Sequence, residues 1–467
     1  MTNKSTLRKI AFVALSNIIK MSSSIIIAFM IPDILGVVNY GYYKVFLLYL
    51  TYVGLFHFGF IDGIYLKYGG VDFEHLPKNK FKTYFKFLLN LELVISLIGI
   101  IISILFIPGD KKLIFVLLFI NMIAINLTTY FQFISQITSR FNEFSIRLIA
   151  LSIGNLVLAI IMYILDINDY KIYIILIIIF NYLMLFWYLF TYRSITFGNM
   201  ESIKNNYQDI GIFFKTGIPL LLANLASTIV MTVDKQIVEI FFTIEEFSVY
   251  SFAYSMLTIV TVVVSAVGIV LYPTLKKTSS ENIASNYDIL NRIVIVVVLL
   301  GLIGYFPLLW LIPNFLPDYT NSLIVFRIAL PGLVISSTIT AVKHNFYKIT
   351  GKNMLFFYVS MIAIIVSVAL NISAYYAFKD TLAVAISSII GLSLWYVMTE
   401  YYMIKMNKVK WGFNSLIAMI GIISFYLLTS IENVFISSLS YALVVGIVIV
   451  FSYKSILQRI VQLNSKN

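Results

Sequence analysis

The stretch IAFVALSNIIKMSSSIIIAFMI, residues Ile10 to Ile31, decides how the rest of the chain is read. A hydrocarbon core roughly 30 Å thick is crossed by about 20 residues of α-helix, so this run is long enough to span a membrane. Lys4, Arg8 and Lys9 precede it, but no small-residue cleavage site follows. The expectation is therefore a first span rather than a removable signal peptide. Its one charge, Lys20, stands near the middle, where snorkelling to either interface is difficult. Such a cation either faces a wet cavity or is neutralised by a buried acid.

The same texture continues outward. Of 467 residues, 60% are hydrophobic and 12% charged, too little polar surface to coat a soluble globule. Further apolar runs lie near 42–66, 84–107, 113–138, 144–165 and 172–192, then near 213–241, 248–273, 289–312, 322–347, 353–377 and 381–404, and finally near 414–430 and 434–452. The expected fold class is an all-α polytopic membrane protein with about 14 transmembrane helices. Basic loops resist translocation, so Lys and Arg report orientation. With both termini cytoplasmic, the inner connections and tails hold 25 of the 33 Lys and Arg residues and the outer ones five. Lys20, Lys235 and Arg327 lie within spans. The net charge of +12 is dispersed singly through short loops, which reads as topology rather than as a nucleic-acid surface.

Two sets of six runs share punctuation. Asn39-Tyr40-Gly41-Tyr42-Tyr43 recurs as Glu246-Phe247-Ser248-Val249-Tyr250, Phe106-Ile107-Pro108 as Phe315-Leu316-Pro317, and Gln136-Ile137-Thr138-Ser139-Arg140 as Lys348-Ile349-Thr350-Gly351-Lys352. Each pair falls on one side of the membrane, as parallel repeats require. The expected domains are a six-helix lobe at 1–192, a cytoplasmic linker at 193–212, a second six-helix lobe at 213–404, and two further helices with a tail at 405–467.

Several function classes drop out. No Gly-x-x-x-x-Gly-Lys-Ser/Thr string is present to cradle a nucleotide phosphate. Three histidines, His57, His75 and His344, and no cysteine form no metal-ligand motif. The short outer loops leave no aqueous platform for a membrane glycosyltransferase. The expectation is a non-enzyme with no cofactor. Transport or scaffolding remains, and charges inside spans favour transport, since each costs about 2.5–3.5 kcal/mol at a helix centre.

Those charges are the candidate site. Lys20, Lys235 and Arg327 are candidate substrate-binding cations, together suited to an anionic substrate such as a diphosphate. Arg327 either snorkels outward or presents its planar fork to phosphate. Asp62, Glu92, Asp234 and Glu239 are candidate ion-coupling groups or charge partners. Asp62 is equally read as a solvated helix terminus, and His57 as a hydrogen-bonded core histidine. Glu92 needs a partner from another helix or a proton. Lys235 and Glu239, four residues apart, suit an intrahelical ion pair that leaves Asp234 pointing elsewhere. Gly217-x-Pro219 and Pro331-Gly332 read as hinges or as packing features.

Three segments carry a family resemblance: Leu35-Gly36-Val37-Val38-Asn39-Tyr40-Gly41-Tyr42 with Phe58-Gly59-Phe60-Ile61-Asp62-Gly63-Ile64, Gly217-Ile218-Pro219-Leu220-Leu221 leading to Val233-Asp234-Lys235, and Glu245-Glu246-Phe247-Ser248-Val249-Tyr250-Ser251. In their order and spacing the chain resembles, over essentially its whole length, the polysaccharide-repeat-unit flippases (Wzx-type) of the multidrug, oligosaccharidyl-lipid and polysaccharide (MOP) exporter superfamily. Ser248 departs from the glycine common there. The resemblance implies twelve core helices in two lobes around a central cavity, with two C-terminal helices added in some members. It also implies an undecaprenyl-diphosphate-linked oligosaccharide as substrate, flipped from the inner to the outer leaflet of the bacterial cytoplasmic membrane for O-antigen or capsule biosynthesis. In some members a proton or sodium ion is coupled to the step, and membrane lipids are the surroundings. The open alternatives are an ion-coupled drug or metabolite exporter of the same fold, and a membrane enzyme or scaffold of glycan assembly.

Overall fold

The computed structural model describes residues 2–258, 283–407 and 412–464, and no strand occurs among them. Part of the run near 248–273, with Lys276, Lys277, Lys408, Lys410 and Lys466, lies outside the described residues. The chain divides into two compact units, residues 1–228 and 229–467.

The first unit contains α1 (Thr2–Leu50), α2 (Phe60–Tyr68), α3 (Lys78–Phe106), α4 (Lys111–Ile137), α5 (Phe141–Ile164), α6 (Tyr170–Thr191) and most of α7 (Ile203–Val230). Helix α3 shows why these sequences form helices in lipid. Glu92, Ser96, Gly99 and Ser103 recur at helical spacing and are all buried. Leu93, Val94, Leu97, Ile98 and Ile101, on the other faces, are exposed. Polar groups turn inward and large apolar ones outward, the reverse of a surface helix in water.

Helix α1 contains the whole of the first expected span and the start of the second. Its one non-helical residue is Gly36, at φ 65° and ψ 175°, a conformation that costs glycine little and L side chains much. The chain therefore turns at Gly36. The second expected span continues from α1 through a 3-10 turn at Val53–His57 into α2.

Aromatic rings fill the core of this unit, with Phe60, Phe81, Tyr84, Tyr130, Phe131 and Phe213 buried together. Helices α2 and α7 cross at glycines. A Cβ on Gly217 would stand 1.9 Å from the Gly59 carbonyl oxygen, and one on Gly63 would stand 2.2 Å from that of Phe213. Gly217 is thus a packing residue at a close helix crossing.

The second unit contains α8 (Val233–Phe241), α9 (described over residues 244–258), α10 (Ile283–Leu302), α11 (Tyr305–Phe315), α12 (Ser322–Ala329), α13 (Gly332–Ser337), a π-helical turn (Thr338–Lys343), α14 (His344–Ile349), α15 (Asn353–Phe378), α16 (Thr381–Asn407), α17 (Phe413–Leu428) and α18 (Val434–Asn464). At Pro331-Gly332 the chain bends by 44° between α12 and the helix that follows, so this pair does break its span.

Among the described residues, ten helices are long and apolar enough to cross a membrane, or eleven if the bent pair is one span. The number is below the expected fourteen for identifiable reasons. The Gly36 turn joins two runs into one element, α17, at 16 residues, is short of a full crossing, and the run near 248–273 lies partly outside the described residues. The chain is a multi-pass helical membrane protein.

Candidate functional site

The seven residues expected to form the site fall into separate surroundings. Lys20 is exposed on α1 and makes no ion pair or hydrogen bond among the described residues.

Asp62, in the first turn of α2, is buried, so the solvated-terminus reading does not hold. His57 is buried beside it, with Nδ1 3.9 Å from Asp62 Oδ2. That nitrogen accepts the Gly59 N–H at 3.2 Å, which makes it an acceptor rather than a cationic donor. The histidine is a hydrogen-bonded core residue that shapes the turn from the 3-10 segment into α2.

Glu92 finds its partner on α4, and the partner is an amide. Asn126 Nδ2 donates to Glu92 Oε1 at 2.9 Å and to the Val53 carbonyl at 3.0 Å, tying α3, α4 and the 3-10 turn together. Glu92 Oε2 and Asn126 Oδ1 are both buried without a hydrogen bond.

In the second unit, the α8 charges do not pair as their spacing suggests. Lys235 sits over the Tyr254 ring, its ammonium 4.8 Å from the centroid, and forms no ion pair with Glu239, which is buried. Asp234 is buried and saturated. Its Oδ1 accepts the Lys235 backbone N–H at 2.8 Å, and its Oδ2 accepts the Tyr250 hydroxyl at 2.8 Å and the Tyr254 hydroxyl. The two phenols stack at 5.0 Å. Asp234 and Lys235 are therefore brought together through Tyr254.

Arg327 belongs to a different contact. From α12 its Nε donates to Thr429 Oγ1 at 2.9 Å, and its Nη2 to the Tyr426 carbonyl at 3.2 Å and Ser430 Oγ at 2.6 Å. Three of five N–H donors thus hold the C-terminal end of α17, where free carbonyls and the helix dipole favour a cation. The guanidinium does not snorkel free.

Two charged clusters escaped the sequence reading. In the first unit, Asp209 on α7 accepts from Lys67 at 2.8 Å, Lys80 at 3.2 Å and Tyr84 at 2.8 Å. In the second, Lys343 and Glu400 form a buried ion pair at 2.8 Å. Lys343 is one of the 25 basic residues expected in the inner connections and tails, yet it is fully enclosed. Apolar Ala341 and Val342 before it, and Glu400 inside the run 381–404, are the signals that pointed to burial.

No family model matches the sequence, and no curated protein matches it. Solved structures do. An inward-closed lipid II flippase MurJ superposes with a TM-score of 0.71 at 15% identity, covering 97% of this chain and 100% of that one. An inward-facing multidrug resistance MATE transporter of the MOP superfamily gives 0.63 at 14%, covering 88% and 99%. A MOP superfamily transporter from Pyrococcus furiosus gives 0.60 at 11%, covering 90% and 96%. Identities this low speak to architecture alone: the chain has the fold of the MOP superfamily transporters.

Proposed function

We propose that the protein is a flippase that carries an undecaprenyl-diphosphate-linked oligosaccharide repeat unit from the inner to the outer leaflet of a bacterial cytoplasmic membrane by alternating access. Its lobes in this reading are residues 1–192 and 213–404, joined by 193–212, with 405–467 added. The observation that carries it is Lys20, an exposed ammonium halfway along an apolar helix with all three donors unused. A bare cation there is costly unless an anion visits it. A diphosphate headgroup supplies that anion while the polyprenyl chain stays in lipid. Lys235, whose ammonium among the described residues meets only a ring face, and the two Nη1 donors of Arg327 are the further contacts. The fold likeness to a lipid II flippase agrees with a lipid-linked substrate.

The test is a gene deletion followed by localisation of lipid-linked repeat units. Accumulation on the inner leaflet, with loss of surface polysaccharide, is the expected result. Normal surface polysaccharide with altered drug sensitivity favours the small-molecule exporter. Reconstituted into vesicles, the purified protein should flip a polyprenyl-diphosphate glycan, and Lys20→Ala should abolish the activity at unchanged abundance.

A further inference from the structure

The buried pair of Lys343 and Glu400 has no part in binding a diphosphate, and its surroundings differ on its two sides. On the enclosed side, the Lys343 ammonium is 2.8 Å from Glu400 Oε2, 3.1 Å from the Tyr396 carbonyl and 3.4 Å from Thr399 Oγ1. Three acceptors meet its three N–H donors, and the Tyr396 ring lies against it at 3.3 Å. Glu400 Oε2 also accepts the Tyr287 hydroxyl. Glu400 Oε1 accepts no hydrogen bond among the described residues.

On its other side Glu400 lines a cavity of about 260 Å³ together with Asp288, Arg292, Asn414 and Ser415. The lining is polar and internally bonded. Arg292 Nε donates to Asn414 Oδ1 at 3.0 Å, and Asn414 Nδ2 donates to the Asp288 carbonyl at 2.7 Å. A space of this size with several polar partners holds water. One carboxylate thus touches a buried ammonium on one side and a wet cavity on the other.

Burying two charges costs desolvation that an apolar pair of the same shape would avoid, so stability alone does not explain them. Lys343 also closes the π-helical turn Thr338–Lys343, a distortion that concentrates at functional sites. The pair is the polar tie between that turn and α16.

We propose that Glu400 is a proton-binding site, loaded and emptied through the cavity, whose protonation removes the ionic contact of Lys343 and loosens the π-helical turn from α16. The proton adds to a carboxylate oxygen and makes a neutral acid. Lys343 keeps its own proton, so the pair passes from net zero to one positive charge. The ammonium then loses its anionic partner and keeps only neutral acceptors, the Glu400 carboxyl oxygen, the Tyr396 carbonyl and Thr399 Oγ1, with the Tyr396 ring. Other titratable groups face Glu400 from each neighbouring element. Tyr287, Asp288 and Arg292 come from α10, and Tyr396 from α16 itself. Tyr347 comes from α14 and donates to the Thr399 carbonyl at 3.0 Å. Asp288, at the cavity, is placed to pass the proton. His344 is occupied elsewhere, stacked on Phe356 at 4.4 Å. This site makes no use of the glycan substrate and stands or falls without it.

The test uses the purified full chain in detergent. Infrared difference spectra between alkaline and acid buffer should show a protonated carboxyl band that Glu400→Gln removes. In Lys343→Met the band should appear at a proton concentration roughly tenfold to a thousandfold lower, because the opposing charge is gone. The chain has no cysteine, so Thr338→Cys gives a single buried thiol on the π-helical turn. Its labelling, relative to the same thiol in denatured protein at each pH, should rise in acid. In Glu400→Gln, which mimics the neutral acid, it should be fast at every pH. A carboxyl band unaltered in Glu400→Gln overturns the proposal. So does pH-independent labelling in the otherwise unaltered protein, which needs no charge variant to fold.

Discussion

Glu92 and Glu400 are the same residue type, each buried in a long helix, one in each unit, and their surroundings are opposite. Glu400 has a lysine at 2.8 Å, a phenol and a polar cavity beside it. Glu92 has one amide hydrogen bond and an oxygen with no partner. The cations divide in the same way: Lys343 has every donor used, and Lys20 has none. The charge of Glu400 and Lys343 is balanced within the second unit. Glu92 and Lys20, in the first, are left unbalanced, and unbalanced groups, with Lys235 of the second unit among them, are the ones available to a ligand from outside.

Removing one partner from the balanced side should be the most damaging change. Lys343→Met leaves Glu400 buried against an apolar side chain and should cost about 3–5 kcal/mol, read as a lowered unfolding temperature in detergent. Adding Glu400→Gln should recover most of that loss, since no uncompensated charge remains. A single variant as stable as the parent would show that the pair is already solvated. Asp234→Asn comes next, at about 2 kcal/mol. An amide oxygen in the place of Oδ2 keeps both phenol bonds without the negative charge that strengthens them, but the amide nitrogen in the place of Oδ1 cannot accept the Lys235 backbone N–H. A double-mutant cycle with Tyr250→Phe isolates that contact, and additive losses would show that it contributes nothing. Arg327→Gln should cost about 1.5 kcal/mol by freeing the end of α17, with the loss seen in thermal unfolding before any transport assay. Unchanged stability there would show that the three bonds to α17 contribute nothing to holding its end.

What the sequence makes legible follows from distance along the chain. Helices in lipid are local: Ile10–Ile31 is long enough by itself, and the four-three-four spacing of Glu92, Ser96, Gly99 and Ser103 marks a buried face within one helix. The Gly36 turn and the Pro331-Gly332 bend are local as well, because glycine and proline act on their own backbone. Partners are not local. Arg327 meets residues 99 to 103 positions away, Lys67 meets Asp209 at 142, and Tyr287 meets Glu400 at 113. No periodicity encodes such pairings. The i, i+4 match of Lys235 and Glu239 was local and still misled, because a tyrosine from α9 offered Lys235 an aromatic face. Gly217 was legible as a special position, but only the approach of Gly59 distinguishes packing from hinge.

On the unbalanced side, substitutions should be mild for the fold. Glu92→Gln keeps the oxygen that Asn126 bonds and exchanges a bare oxygen for an amide nitrogen. Stability should stay within about 1 kcal/mol of the parent. A loss as large as that of Lys343→Met would mean that Glu92 carries a charge held by a cation. If Glu92 handles a coupling ion, the same variant should retain its fold and lose dependence of transport on the ion gradient.

Lys20→Met should change stability least of all, since the ammonium it removes bonds to nothing and the methionine suits an apolar helix. The comparison is sharpest here because stability and activity are expected to separate. A cation kept in an apolar run without a partner contributes nothing to the folded chain alone, so its effect must appear when substrate is present. Flipping of a polyprenyl-diphosphate glycan in vesicles should fall steeply in Lys20→Met and recover in part in Lys20→Arg, which restores the charge with a different donor geometry. Equal loss in both variants would mean that the ammonium shape, not the charge, is required. Full activity in Lys20→Met would leave the first unit without an anion-binding group and remove the main support for a diphosphate substrate.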